Sequence, residues 1–209
     1  EGREKREVLR DLGRSHGYLG DLQLLEGNVS KAERSYKDSE ELRRDLYNVN
    51  HLDAEFRFQH ARGLCNIALL ERDYIGDQQK AIEYLTQTES LQTGLVKDFP
   101  EILTFSQELA YTVNSLAEIH LWIAAEKGET AGGPNLQKAE EFIDKLETKL
   151  PALPAENHRQ ARLLINKATV AALSNRKTEA EDLAKSASLT LLGDRDIETF
   201  GRRELVTLA

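Results

Sequence analysis

Apolar residues fall along this chain at three- and four-residue intervals, the period of helices with one buried face. The first such segment, residues 5–26, carries Val8, Leu9, Leu12, Leu19, Leu22 and Leu25. Gly27 ends it with the left-handed cap that glycine adopts freely. Ser30 with Glu33 predicts a capping box opening a second helix, which carries Ala32, Tyr36, Leu42 and Leu46 and ends near 48–50. A third helix is expected over about 53–73 on Phe56, Ala61, Leu64, Ile67, Ala68 and Leu70. Gly76-Asp77 is the next turn, with Asp77 as N-cap of a fourth helix over about 78–97. Phe99-Pro100 breaks that helix, because the residue before proline is pushed out of helical geometry. A fifth helix covers about 101–126, and the glycine-rich connection Gly128–Asn135 leads to a sixth over about 136–149. Pro151 and Pro154 precede a seventh over about 156–174, and an eighth covers about 177–191. Gly193 caps it, and Asp194 starts a last helix to about Leu208 that would either seal the stack or open a further repeat.

One small residue sits at a matching place in each first helix: Gly20, Ala68, Ala117 and Ala168, at steps of 48, 49 and 51. Each second helix has its own: Ala32, Ala81, Ala139 and Ala180. Within a pair the gap is 12, 13, 22 and 12, and the outlier contains the Gly128–Asn135 insertion. Such a period marks repeated helix pairs, each with too little surface to bury its own apolar stripe until the next pair stacks on it. The small residues set how closely the helices approach.

The pattern resembles the tetratricopeptide repeat, whose signature runs W-x2-L-G-x2-Y, then A-x3-F, then P. Its first half stands here as His16-x2-Leu19-Gly20-x2-Gln23, Leu64-x2-Ile67-Ala68 and Val113-x2-Leu116-Ala117. Its second half stands as Ala32-x3-Tyr36, Ala81-x3-Leu85 and Ala139-x3-Ile143. Asn66-Ile67-Ala68 and Asn114-Ser115-Leu116-Ala117 look like the Asn-Leu-Ala runs of kinesin-light-chain-type repeats. The unit here exceeds the family's usual length of about 34 residues, which is similar to the long repeats trailing bacterial serine/threonine kinases. The fourth repeat departs further, with Lys167 at an apolar position and Ala184 at an aromatic one. The resemblance implies an all-α fold, a right-handed α-α superhelix of about four helix pairs plus a terminal helix. Residues 1–209 would form one solenoid, with repeats at about 5–50, 53–98, 101–150 and 154–192 and the terminal helix at 194–208.

Composition narrows the function classes. The net charge of −8 lacks the basic footprint that nucleic-acid binding needs. Acidic and basic residues interleave, as in Lys37–Asp45, which reads as solvated helix faces. The single cysteine, Cys65, allows no internal disulfide and fits a reducing compartment, so a cytoplasmic location is expected. No apolar run approaches the ~20 residues that cross a bilayer, and no signal peptide is visible. The chain starts at Glu1 and has no methionine, so it is expected to be a piece of a longer protein.

No catalytic, metal or cofactor motif stands out. The histidines at 16, 51, 60, 120 and 158 form no i,i+4 ligand pair, and His16 and His120 fall at interhelical positions. Carboxylate pairs such as Glu40-Glu41 sit on charged faces with no sign of the burial that acid–base work requires. The glycine-rich connection lacks the Gly-Lys-Ser/Thr ending of a phosphate loop. What remains is a surface. The resemblance implies that first helices line a concave groove, and counting from the small residues nominates Arg14, Asp21, Arg62, Cys65, Leu69, Tyr111, Asn114, Glu118, Trp122, Arg162 and Ile165. Arg14, Arg62 and Arg162 recur at one offset and would fork onto a partner's carboxylates. Tyr111 and Trp122 would supply aromatic anchors, although Trp122 equally suits a core position under the long loop. The expected function is a non-catalytic module binding a peptide or protein. The alternative is a regulatory or sensor segment acting within its own chain on a kinase, caspase-like protease or signalling ATPase domain.

Overall fold

Gly27, Asn50 and Gly76 close helical segments, and Asp53 and Asp77 open the helices that follow the last two, and that punctuation positions much of the first half of the chain. The computed structural model describes residues 2–148 and 157–192. Among them the chain is α-helical and contains no strand. The helices are α1 (Gly2–Leu25), α2 (Val29–Val49), α3 (Ala54–Leu70), α4 (Gln78–Asp98), α5 (Leu103–Glu126), α6 (Pro134–Thr148), α7 (Asn157–Leu173) and α8 (Lys177–Leu192). Two compact units form, Glu1–Ile119 and His120–Ala209, and the boundary falls inside α5. In the first, α1 packs on α2, α2 on α3 and α3 on α4; in the second, α6 packs on α7 and α7 on α8. The expected terminal helix over 194–208, the Gly193 cap and the prolines at 151 and 154 lie outside the described residues.

Gly27 takes the left-handed conformation (φ 75°) and closes α1 as expected. The Gly27 amide bonds back to Leu24 and the Asn28 amide to Gln23, satisfying carbonyls that the helix end would otherwise orphan. The Ser30–Glu33 capping box does not form. The chain re-enters a helix at Val29, directly after that closing turn, so Asn28 occupies the cap position and Ser30 is already inside the first turn. Asp53 and Asp77 do cap: their carboxylates accept the Phe56 and Lys80 amides, each at 3.1 Å. Between α3 and α4 the last turn widens into π-helix over Glu71–Ile75, where the third helix was expected to continue as ordinary helix, and Gly76 (φ 83°) closes it.

The repeating small residues lie where helices press together. Ala32, Ala68, Ala81, Ala117 and Ala139 are wholly buried, Ala168 nearly so, and Ala180 half-buried. Gly20 is the tightest position: a Cβ there would stand 2.5 Å from the Tyr36 ring, so only glycine lets Tyr36 lie flat on α1. Tyr36 packs with Ala32, Ile67 and Leu70, which joins α1, α2 and α3 in one cluster. Burial of Ile67 and Leu70 in it contributes about 1.5–3 kcal/mol each.

Two expectations about burial need correction. The stripe on α1 is not core: Val8, Leu12, Leu19, Leu22 and Leu25 are exposed, because α2 covers the opposite face of α1 with Gly13, Gly17 and Gly20. Glu40 is not a surface acid either. It is buried beside His60, with His60 Nδ1 3.5 Å from its carboxylate, and His60 stacks on Tyr47 at 5.0 Å. Burial raises the Glu40 pKa and lowers that of His60 to about 4, the nearby Arg44 charge adding to the histidine shift. The pair is therefore a neutral-histidine contact sealed inside the first unit.

Candidate functional site

In the first unit, α1, α3 and the first part of α5 carry eight of the nominated residues. Arg14 is exposed on α1 and reaches Glu55 of α3 at 3.9 Å. Asp21 is exposed one turn beyond Gly17 and accepts the Tyr36 hydroxyl at 2.6 Å. Arg62 is exposed on α3, its guanidinium 5.8 Å from the centre of the Phe58 ring. Leu69 is half-buried, and Tyr111 on α5 is 37% exposed. Glu118 is half-buried and accepts from Asn114 at 2.9 Å and from Arg72 at 3.4 Å.

Two nominated residues do not present themselves to a partner. Cys65 is buried, and desolvation pushes its thiol to about 12, with Glu108 adding to the shift, so it is a small packing residue and not a groove contact. Asn114 is buried and serves to hold Glu118. The residues one turn before them, Arg62 and Tyr111, are exposed, and counting from the small residues does not show which positions a neighbouring helix covers.

Two residues that counting missed matter more. Arg72, on the π turn, ties α3 to Glu118 of α5. Burial works against its charge, but Asp73 and Glu118 outweigh that and hold its pKa above the ordinary value. Arg43 rises from α2 and is only 6% exposed. Its side chain passes Gly13 and Gly17 of α1 on one side and Gly63 of α3 on the other. The three glycines were the available signal, since all sit inside helices where glycine is unfavourable without a packing reason. Near the start of both helices, α1 and α3 leave a hollow of about 220 Å³ lined by Arg6, Glu7, Arg10, Asp53, Glu55 and Phe56.

The second unit holds the other three. Trp122 is half-exposed on α5 and does not fill a core position. Arg162 is half-buried on α7, and Ile165 is exposed on the same helix. Ile165 and Thr169 line an open apolar groove of about 510 Å³ with Ala168, Ala172, Ala184 and Leu191. The glycine-rich connection is built around Glu129, whose carboxylate accepts the Asn135 amide (2.8 Å), the Leu136 amide (3.2 Å) and the Asn135 side chain (2.6 Å). These bonds, the Asn135 side chain first, hold the Glu129 pKa down and anchor the start of α6. His120 sits interhelically as expected, 3.1 Å from Asn135 and stacked on Phe142. Lys167, the residue that breaks the repeat pattern, reaches Glu147 of α6 at 2.9 Å.

Among the described residues, no group of three or more His, Cys, Asp or Glu is placed to hold a metal ion. Nor is any described helix long and apolar enough to cross a membrane. In comparisons with known proteins, no family model matches the chain, and no curated protein and no solved structure matches it either.

Proposed function

We propose that this chain is a protein-interaction module, a tetratricopeptide-like array of helix pairs, that binds a peptide or protein on the face built by α1, α3 and the first part of α5. The observation that carries the reading is the company of exposed side chains on that face. Arg14 and Tyr18 on α1, Arg62 on α3 and Tyr111 on α5 project from helices whose backs are fixed by fully buried small residues. Arginine and tyrosine are the residue types on which binding energy concentrates, and rigid helices hold them without a large ordering cost. The polar groups below them are committed to structural bonds, as in Tyr36–Asp21 and Asn114–Glu118.

The test is selection of a random peptide library on the immobilised chain, with the Arg14→Glu/Arg62→Glu double variant in parallel. Wild type is expected to enrich a peptide family that the variant loses. Equal enrichment by both proteins would refute the assignment of this face.

A further inference from the structure

An apolar seam runs along α1 on the side away from the glycines that α2 covers. Lys5, Val8, Leu12, Ser15, Leu19, Leu22 and Glu26 follow one another at alternating steps of three and four. Glu26 stands one residue past α1, and its amide still bonds to the Leu22 carbonyl, so the spacing holds to the end. Such an alternation is the seam of two paired helices, narrower than the stripe of a helix lying on a core. The seam is uncovered: Val8 is 65% exposed, Leu12 and Leu19 44% each, and Leu22 58%. Gly13, Gly17 and Gly20 hold the opposite side of the helix against α2, so the seam cannot turn inward without undoing that contact. Ser15, the polar residue in its middle, has its hydroxyl bonded to the Asp11 carbonyl at 2.8 Å. It can therefore be covered without orphaning a donor.

We infer that the seam is covered by a second copy of this chain, in an antiparallel dimer with two-fold symmetry through α1. The order of residues names the occupant. Lys5 and Glu26 stand at the two ends, and the apolar residues lie symmetrically about Ser15 between them. An antiparallel copy brings Lys5 of each helix to Glu26 of the other, so the opposite charges meet twice, and it sets Val8 among Leu19 and Leu22 of the second copy. A parallel copy would bring lysine to lysine and glutamate to glutamate. A two-fold contact uses one patch twice and needs this self-complementarity. The four apolar side chains expose on the order of 400 Å². With the stems of the bordering polar residues, pairing along α1 removes roughly 600–800 Å² from each copy, the range of the smaller specific interfaces. Arg14 leans off the seam towards Glu55 of α3, so the dimer leaves the docking face proposed above open on both copies.

The experiment is sedimentation equilibrium of the full 209-residue chain over a micromolar concentration series, with far-UV circular dichroism to check the fold of each variant. Wild type is expected to pass from monomer to dimer across the series. Leu12→Lys/Leu19→Lys, which alters only exposed positions, is expected to weaken association about thirtyfold or more. Lys5→Glu and Glu26→Lys should each weaken it several-fold, because like charges then meet at both ends. An equimolar mixture of those two variants should regain the wild-type association, since opposite charges face each other again. The charge variants carry the test if Leu12→Lys/Leu19→Lys does not fold. A chain that stays monomeric throughout would overturn the inference, as would a dimer that Leu12→Lys/Leu19→Lys leaves intact. A dimer indifferent to the charge variants, singly and mixed, would overturn the antiparallel arrangement.

Discussion

Replacing Gly20 with alanine should destabilise the first unit, although alanine is the better helix former. In an exposed helix interior the exchange gains about 1 kcal/mol. Here the new methyl would stand 2.5, 2.6 and 3.0 Å from three carbons of the Tyr36 ring. The ring cannot swing aside freely, because it lies among Ala32, Ile67 and Leu70 and its hydroxyl is bonded to Asp21 at 2.6 Å. Overpacking of this kind costs about 1–3 kcal/mol, and breaking a hydrogen bond to a charged group about 1.5–3 kcal/mol. Set against the propensity gain, the net loss is roughly 1.5–5 kcal/mol. Urea unfolding followed by far-UV circular dichroism measures it, with Gly94→Ala as control. Gly94 is also within a helix but has only Arg57 Nη1 nearby, at 3.5 Å, so alanine there should stabilise by about 0.5–1 kcal/mol. A double-mutant cycle isolates the cause: in a Tyr36→Leu background Gly20→Ala should become neutral or stabilising. A Gly20→Ala variant as stable as wild type, or equally damaged with and without the ring, would refute the reasoning.

Asp53→Ala and Asp77→Ala should each cost about 1 kcal/mol through a lost cap, whereas Ser30→Ala should leave chemical denaturation unchanged, since its capping box does not form. His60 should make stability fall on acidification. Its folded pKa of about 4 lies below the ordinary 6.5, so its contribution is complete above 6.5 and drains away as the pH drops towards 4. Glu40, raised by the same burial, tilts the curve the other way, so the histidine part is read as the difference between wild type and His60→Phe across that range. Cys65 should resist a thiol reagent in the native chain and react at the rate of unfolding, because its thiol is buried and pushed up to about 12.

Most of the helical order was legible in the sequence, because period and punctuation are local properties. The turn at Gly27 and the caps at Asp77 and Gly76 depend on single residues with special backbone freedom or a short acceptor. The repeating small residues were equally legible, and the structure buries most of them. What the sequence did not show is which face of each helix its neighbours take. On α1 the leucines were the obvious stripe, yet the glycines mark the covered side, since close approach of α2 selects for the absence of a side chain. The buried polar groups were hidden for the same reason. Arg43, Glu40 and His60 look like surface residues by type and become interior only through helices distant in sequence. Candidate contacts counted from the small residues carry no information on which positions a neighbouring helix covers, so they include the buried Cys65 and Asn114 and pass over Arg72 on the π turn.

The wide turn at Glu71–Ile75 gives a reason for an irregularity in the spacing of the alanines. Ala68 and Ala81 are 13 apart, where Gly20–Ala32 and Ala168–Ala180 are 12 apart. A π turn takes up one residue more than the α-helix around it without breaking the hydrogen-bond ladder, and the Gly76 amide duly bonds five residues back to Glu71. The surplus residue is swallowed where the helix ends, so both alanines keep their seats. An insertion in one strand of a sheet would turn every later side chain inside out. Here the length of the chain can change by one while the contact behind it stays in phase, and the bulge that absorbs the change swings Arg72 towards Glu118.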